Sequence, residues 1–496
     1  MGTSSSVHDI KTLILSFHPL VVIETVEEDR VLSLLRDVAD QVWKPLFEWS
    51  ITRGLMKTSD ASPIFHTDDP LALLKHLEGL TIEGVFLLKD FARSLDDVKV
   101  ARKFREVAQE FIRKRSTMVL TGATVQLPSE IDQEAVRYDL QLPDRDELLK
   151  TVYTVLQSLK ADRKIEARLR DEDRERLLYA LQGLTLNQAR QAVANAVLDD
   201  ERFTPDDIQL VLKRKAQMIR DGGLLEYYPV EDNRYQLGGF ANLKSWLARA
   251  YVGFSREAQE LNLTPPRGIL IVGVPGCGKS LAAKVIAREW KLPLLKLDAG
   301  RLFDKYIGES EKNFRKAISL AESMAPTVLW IDEIEKAMVS SGSSEADGGL
   351  SRRLFGAFLT WLQEKRQEVF VVATANDLTI LPPELLRKGR FDEIFFVDLP
   401  NPEEREAIWK IHLALRKQDA SRFDLAQIVV AGEGYSGAEI EQAVVSALYR
   451  ALAQKRPLDT TLLLEEIRQT IPLSQTRRED IKQLREMAQG RFVSVR

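Results

Sequence analysis

At 496 residues, with 44% hydrophobic and 29% charged side chains, the chain is too long for one ordinary domain and too apolar to be disordered; roughly 150 residues per domain points to about three compact units. A net charge of −4 leaves no global electrostatic footprint for nucleic acid, which is not expected as a partner. Cys277 is the only cysteine, which excludes an intrachain disulfide and a Cys-rich metal cluster, while no apolar run reaches the length of a membrane span and no His-Glu-x-x-His zincin motif occurs.

Taken in chain order, the run 20–23 predicts a buried strand, leucines and valines at helical spacing predict a helix over 31–42, and 46–51 reads as a second strand. A helix over 70–80, a strand over 85–88, a long amphipathic helix over 98–115 and strands over 117–120 and 135–142 follow. Strands alternating with helices imply a parallel sheet covered by helices.

The second half repeats this order. Met118-Val119-Leu120-Thr121-Gly122-Ala123-Thr124, then Leu127-Pro128-Ser129-Glu130, then Leu142-Pro143-Asp144-Arg145-Asp146-Glu147 resemble a worn copy of Phe370-Val371-Val372-Ala373-Thr374-Ala375-Asn376, Leu381-Pro382-Pro383-Glu384 and Leu399-Pro400-Asn401-Pro402-Glu403-Glu404. A duplicated module explains both, and the first copy lacks the chemical parts. Its opening strand runs into Glu24-Thr25-Val26-Glu27-Glu28-Asp29, whose carboxylates repel phosphate, and Lys89-Asp90 stands where the second copy has Asp332-Glu333. Expected boundaries are 1–155 for the degenerate α/β domain, 156–225 for its helical lid, 226–234 for a linker, 235–401 for the second α/β core and 402–496 for its lid and C-terminal helices.

In that second core, Gly273-Val274-Pro275-Gly276-Cys277-Gly278-Lys279-Ser280 follows the apolar run 268–272 and precedes a helical pattern beginning at Leu281. Glycines at a strand-to-helix turn let backbone N–H groups wrap a phosphate at the positive end of a helix, Lys279 adds a full charge, and Ser280 is placed to ligate Mg²⁺. Further on, Val328-Leu329-Trp330-Ile331 is a buried strand ending in Asp332-Glu333; Asp332 can orient Mg²⁺ and Glu333 can polarise an attacking water. Asn376 ends the next strand and could position the same water. Arg387 and Arg390, presented from one short turn, have planar forks suited to γ-phosphate oxygens and would act as arginine fingers if they reach a neighbouring subunit.

With these motifs, and with Tyr435-Ser436-Gly437-Ala438-Glu439, residues 235–475 resemble the AAA clade of AAA+ ATPases, the phosphate loop and Asp332-Glu333 being its Walker A and Walker B motifs. Val274 stands for a usual proline, Cys277 for a usual threonine, and Ser280 for a threonine whose hydroxyl it keeps. The resemblance implies a fold of two tandem AAA-like modules, each a parallel sheet with a helical lid and the first degenerate. It also implies ATP and Mg²⁺ as cofactors, contact of Leu281, Gly437 and Ala438 with the nucleotide, and a homo-hexameric ring. Lys305-Tyr306-Ile307-Gly308 resembles the family's first pore loop, where an exposed aromatic grips extended polypeptide. Residues 340–349 would suit a second pore loop or a flexible linker. Across its full length the chain is similar to the hypothetical-chloroplast-reading-frame AAA proteins of cyanobacteria and algal plastids, which implies a cyanobacterial cytoplasm or a plastid stroma. The expected function is an ATP-driven ring motor acting on a protein substrate; the alternative is a nucleotide-controlled scaffold or switch.

Overall fold

The computed structural model describes every residue except 1–4, 61, 163–165, 168–169, 201, 222, 229–235, 299–308, 337–344, 366 and 388. It divides into units spanning 1–207 and 208–496.

The first unit is built on six strands, β1 (Leu20–Glu24), β2 (Leu46–Ser50), β3 (Gly54–Lys57), β4 (Val85–Lys89), β5 (Thr117–Gly122) and β6 (Ala135–Arg137). They lie in the order β3-β2-β4-β5-β1-β6, all neighbours parallel except the β2–β3 hairpin. Alternation along the strands feeds two cores. Leu20, Val22, Phe86, Leu88, Met118 and Leu120 face Leu73, Phe104 and Val107, whereas Val21, Ile23, Leu87 and Val119 face Ile10, Val31, Leu35 and Val38. Asp97 caps the helix Val98–Lys114 by accepting from the N–H groups of Lys99 and Val100. The strand expected over 135–142 stops at Arg137; beyond Tyr138, whose N–H still reaches the Val22 carbonyl, the chain leaves the sheet and the buried Arg30 takes the Gln141 carbonyl at 2.7 Å.

The second unit has seven strands, β7 (Leu225–Tyr228), β8 (Gly268–Gly273), β9 (Leu294–Asp298), β10 (Thr327–Asp332), β11 (Val369–Ala375), β12 (Glu393–Val397) and β13 (Val493–Ser494). Their order is β13-β12-β8-β11-β10-β9-β7, with β7 the antiparallel edge. Helices Pro402–Leu415, Leu425–Ala431, Gly437–Ala453 and Thr460–Gln469 form a lid around their own core of Trp409, Leu413, Ile428, Tyr435, Val444 and Leu462. After the lid the chain returns: Ile481 and Leu484 of helix Arg478–Ala488 join the core of the sheet, and β13 extends it beside β12.

Two expected boundaries do not coincide with breaks in the structure. Position 155 falls within the helix Arg145–Asp162, and the stretch expected as a linker over 226–234 begins inside β7, because Leu225 and Tyr227 are buried and the strand pairs with β9.

Counting only the five strands that each sheet pairs in parallel in this series, both sheets place the first between the fourth and fifth, giving β2-β4-β5-β1-β6 in one unit and β9-β10-β11-β8-β12 in the other. The likeness extends to local detail. The residue after β4 and the residue after β10 are both left-handed, Asp90 at φ 53° and Glu333 at φ 49°. Asp144 and Glu147 form a reciprocal cap, as do Asn401 and Glu404, and Thr185 with Gln188 repeats Ser436 with Glu439. Strand pairing shifts the repeat by one residue from the sequence match: Lys89 pairs with Thr121 and Ile331 with Ala373, so Thr121, not Gly122, is the counterpart of Thr374.

Candidate active site

The crevice beyond the carboxyl ends of β8, β10 and β11 is where ligands bind in open α/β sheets, beside the point at which the strand order reverses. At the end of β8, Gly273 has φ 146° and a side-chain carbon there would sit 2.0 Å from the Val397 carbonyl oxygen. Gly276 and Gly278 are left-handed at φ 74° and 90°, so the loop turns where no larger residue would turn freely. It delivers the chain into the helix Lys279–Trp290. Val274 is buried and Pro275 and Leu281 are half-buried in this turn. From the lid, the N–H of Ala438 donates to the Gly276 carbonyl at 3.0 Å, and a side-chain carbon at Gly437 would meet the same oxygen at 3.3 Å. The lid helix therefore begins against the loop.

Lys279 is buried and donates to the carbonyls of Gly273 and Val274 at 2.8 and 2.9 Å. Burial pulls its ammonium down to about 8, against the pull of Glu335, Asp332 and Glu333. Ser280 donates to Oδ1 of Asp332 at 2.9 Å, and Thr374 donates to the same oxygen at 2.7 Å. Glu333 presents its N–H to Thr374 Oγ1 at 3.0 Å, receives Asn376 Nδ2 at 2.9 Å on Oε1, and pairs with Lys336 through Oε2. Glu335 is buried; its Oε1 accepts the Asn376 N–H at 2.9 Å, and its Oε2 has no hydrogen-bond partner among the described residues. Burial raises its carboxyl. The structure thus gathers Lys279, Ser280, Asp332, Glu333 and Asn376 into one cluster.

Thr374, Glu335 and Lys296, whose ammonium lies 3.6 Å from Asp332 Oδ2, are members that sequence reasoning did not single out. Only strand pairing brings them in, although Glu335 lies two residues from Glu333. Cys277 is buried, and burial pushes its thiol up to about 12, away from the thiolate that reactive cysteines need. Arg387 is exposed, while Arg390 is half-buried with Nη1 lacking a partner among the described residues. No ion pair joins either to Asp332 or Glu333 among those residues. Lys305, Tyr306, Ile307 and Gly308 lie outside the described residues, as do residues 340–344 of the second loop.

The cluster fits ATP with Mg²⁺. The glycine turn is a cradle that a side-chain carbon would fill, and Lys279 rests on the loop's own carbonyls where phosphate oxygens would be better partners. A hydroxyl and a carboxylate, Ser280 and Asp332, are hard oxygen donors of the kind Mg²⁺ takes alongside phosphates and water.

The corresponding place in the first unit carries an ion-pair network of its own. Arg30 donates to both oxygens of Glu147 at 3.0 Å each and lies 3.6 Å from Glu27. Glu27 in turn accepts the Leu186 N–H at 2.7 Å, so a carboxylate sits at the start of the lid helix Leu186–Asp200. The adjoining cleft, about 690 Å³, is lined by Glu27, Glu28, Asp29, Asp144, Asp146 and Glu147 among others.

The ATPase family associated with various cellular activities (AAA) matches residues 269–399. The N-terminal domain of the SpoVK-like AAA ATPases matches 6–140, and their second domain 146–222. The AAA domain-containing protein ycf46 of Guillardia theta is 37% identical over 98% of this chain and 95% of its own length; that of Trieres chinensis is 38% identical over 92% and 91%. The proteasome-activating nucleotidase of Sulfurisphaera tokodaii is 35% identical over 40% of this chain and 51% of its own. The two modules, the glycine turn that leads into Lys279 and the two near-full-length relatives agree: the chain belongs to the AAA family of ATPases, among the ycf46-type AAA domain-containing proteins.

Proposed function

We propose that the chain is a Mg²⁺-dependent ATP phosphohydrolase, working as a homo-hexameric ring motor that remodels or threads a protein substrate. The observation that carries the ATPase reading is the contact of Asn376 Nδ2 with Glu333 Oε1, beside an Asp332 already shared by Ser280 and Thr374. Backbone N–H groups of 273–280, with Leu281, Gly437 and Ala438 close by, hold the triphosphate, and Lys279 swings from its two carbonyls onto phosphate oxygens. Ser280 and Asp332 hold Mg²⁺, which when bound neutralises charge on the transferring phosphoryl group. Glu333, its carboxylate fixed by Asn376, accepts a hydrogen bond from the attacking water, aligns it and takes up its proton as the new bond to phosphorus forms. Arg387 and Arg390 supply positive charge from a neighbouring subunit.

Because ATP favours the charged form of Lys279, its ammonium titrates higher in the complex than the value of about 8 in the free protein. Affinity is then level below about pH 8 and falls above it, with proton uptake on binding. Calorimetry near pH 9 in two buffers of different ionisation enthalpy reads that uptake; identical heats would mean that Lys279 is already fully charged in the free protein, against the lowering that its burial implies.

The motor reading draws on the exposed aromatic expected at Tyr306 and on the likeness to a proteasome-activating nucleotidase. A second reading, a nucleotide-controlled scaffold or switch, is favoured by the first unit, which spends residues 1–207 on an AAA-like fold whose counterpart of the phosphate loop carries the ion-pair network of Glu27, Arg30 and Glu147. Unfolded protein substrates should stimulate hydrolysis by a motor and leave a switch unmoved. A cyanobacterial cytoplasm or plastid stroma is the proposed setting; no helix among the described residues is long and apolar enough to cross a membrane.

One nucleotide should bind per chain, and Lys279→Ala in the full-length protein should bind none, because the first unit lacks both cradle and lysine. Calorimetric titration gives the stoichiometry directly; two sites per chain, or a tight site surviving in Lys279→Ala, would mean that the first unit is a second nucleotide site.

A further inference from the structure

Among the groups around Asp332, one has no part in the chemistry just described. Lys296 lies on β9, its ammonium 3.6 Å from Asp332 Oδ2 and 4.6 Å above the Trp330 ring. The other oxygen of Asp332 is taken by Ser280 and Thr374, so the carboxylate has hydroxyls on one side and a full cation on the other. The first unit repeats this pair with its signs exchanged. There Leu46 pairs with Val85 and Glu48 with Leu87; here Leu294 pairs with Val328 and Lys296 with Trp330. Glu48 therefore occupies the place of Lys296, Lys89 occupies the place of Asp332, and the two are joined at 3.4 Å. An ion pair that keeps its position while its polarity reverses answers a need for charge balance at that point of the fold. In the second unit, that need meets a metal site.

We propose that Lys296 is the resident counter-ion of Asp332 and, on the ATPase reading above, sets the Mg²⁺ concentration at which nucleotide is held. Without metal, the ammonium balances a half-buried carboxylate that would otherwise have only the Ser280 and Thr374 hydroxyls as partners. When Mg²⁺ is held through Asp332 and Ser280, the same ammonium becomes a like charge and opposes it. Lys296 thus protects the metal-free site and weakens metal binding. The pair is about a quarter exposed on each side, so solvent damps the effect to a moderate one.

The test uses full-length wild-type, Lys296→Met and Lys296→Arg proteins with a non-hydrolysable ATP analogue, following the melting temperature as Mg²⁺ is added. Met keeps the apolar stem over Trp330 and removes only the charge. Half-maximal stabilisation should come at about three- to tenfold lower Mg²⁺ in Lys296→Met and near the wild-type concentration in Lys296→Arg, while Lys296→Met without metal or nucleotide should melt below wild type. Lys296→Gln provides the same reading if Met does not fold. An unchanged or higher Mg²⁺ requirement in the neutral variant overturns the counter-ion role. A wild-type protein that Mg²⁺ and nucleotide fail to stabilise overturns the ATPase reading, and this one with it.

Discussion

Glu333→Gln protein is expected to bind ATP about as well as wild type and to hydrolyse it at least about 10³-fold more slowly, a loss of about 4 kcal/mol of transition-state stabilisation. Binding should survive because the cradle of 273–280, Lys279, Ser280 and Asp332 is untouched. Position should survive as well. The Gln carbonyl can still accept from Asn376 Nδ2, as Glu333 Oε1 does at 2.9 Å, and the backbone remains held by Thr374 Oγ1. What disappears is the anionic oxygen that draws a proton from water, together with the ion pair to Lys336. The left-handed backbone of Glu333 is a conformation that costs a non-glycine residue of order 1 kcal/mol or more, and such outliers persist where the surroundings over-determine them. Single-turnover hydrolysis beside equilibrium nucleotide binding separates the two effects; turnover close to wild type in Glu333→Gln would remove the role assigned to this carboxylate. The same variant, held in its ATP state, would also be the bait with which to capture the protein substrate that the proposed motor requires.

Local motifs make the centre of the site legible in the amino-acid sequence. Residues 273–280 carry their meaning in consecutive positions, and Asp332-Glu333 and Asn376 each end an apolar run that reads as a strand. Thr374, Glu335 and Lys296 are not legible there, because a threonine in a strand, a third acid in Asp332-Glu333-Ile334-Glu335 and a lysine amid leucines acquire roles only when β9, β10 and β11 lie side by side. The duplication is legible in its order of elements and off by one residue in its register. Thr121 and Gly122 are neighbours on a strand buried throughout, and composition does not choose between them, whereas pairing with Lys89 does. Nor does the acidic turn of the first unit disclose its internal partner: Arg30 and Glu147 are 117 residues apart, and their bond exists only once the lid has folded over the sheet.

Arg390→Ala protein is expected to keep nearly all of its ATP affinity and lose roughly 10³-fold or more in hydrolysis, the effect of a missing arginine finger. The reason lies in where the turn is anchored. Asp392 accepts the N–H groups of Arg267 and Gly268 at 2.6 and 2.9 Å, and the Arg267 guanidinium donates to the Gly389 carbonyl at 2.7 Å. Gly389 and Asp392, on either side of Arg390, are therefore fastened to the beginning of β8, while the phosphate loop leaves from its end at Gly273. Those ends are separated by roughly 16 Å at about 3.3 Å per residue, more than an arginine side chain spans. Arg390 also has a guanidinium nitrogen buried without a partner among the described residues, a cost that a neighbour's anion would remove. The arginine is thus suited to a site on the next subunit and not to its own. Mixing Arg390→Ala with Lys279→Ala protein makes interfaces in which one chain brings a sound phosphate loop and the other a sound arginine. Hydrolysis should recover in part, to a level set by the fraction of such mixed interfaces. Full-rate hydrolysis by a strictly monomeric preparation would instead place all the required charge within one chain, and the shared site, with the ring built on it, would have to be abandoned.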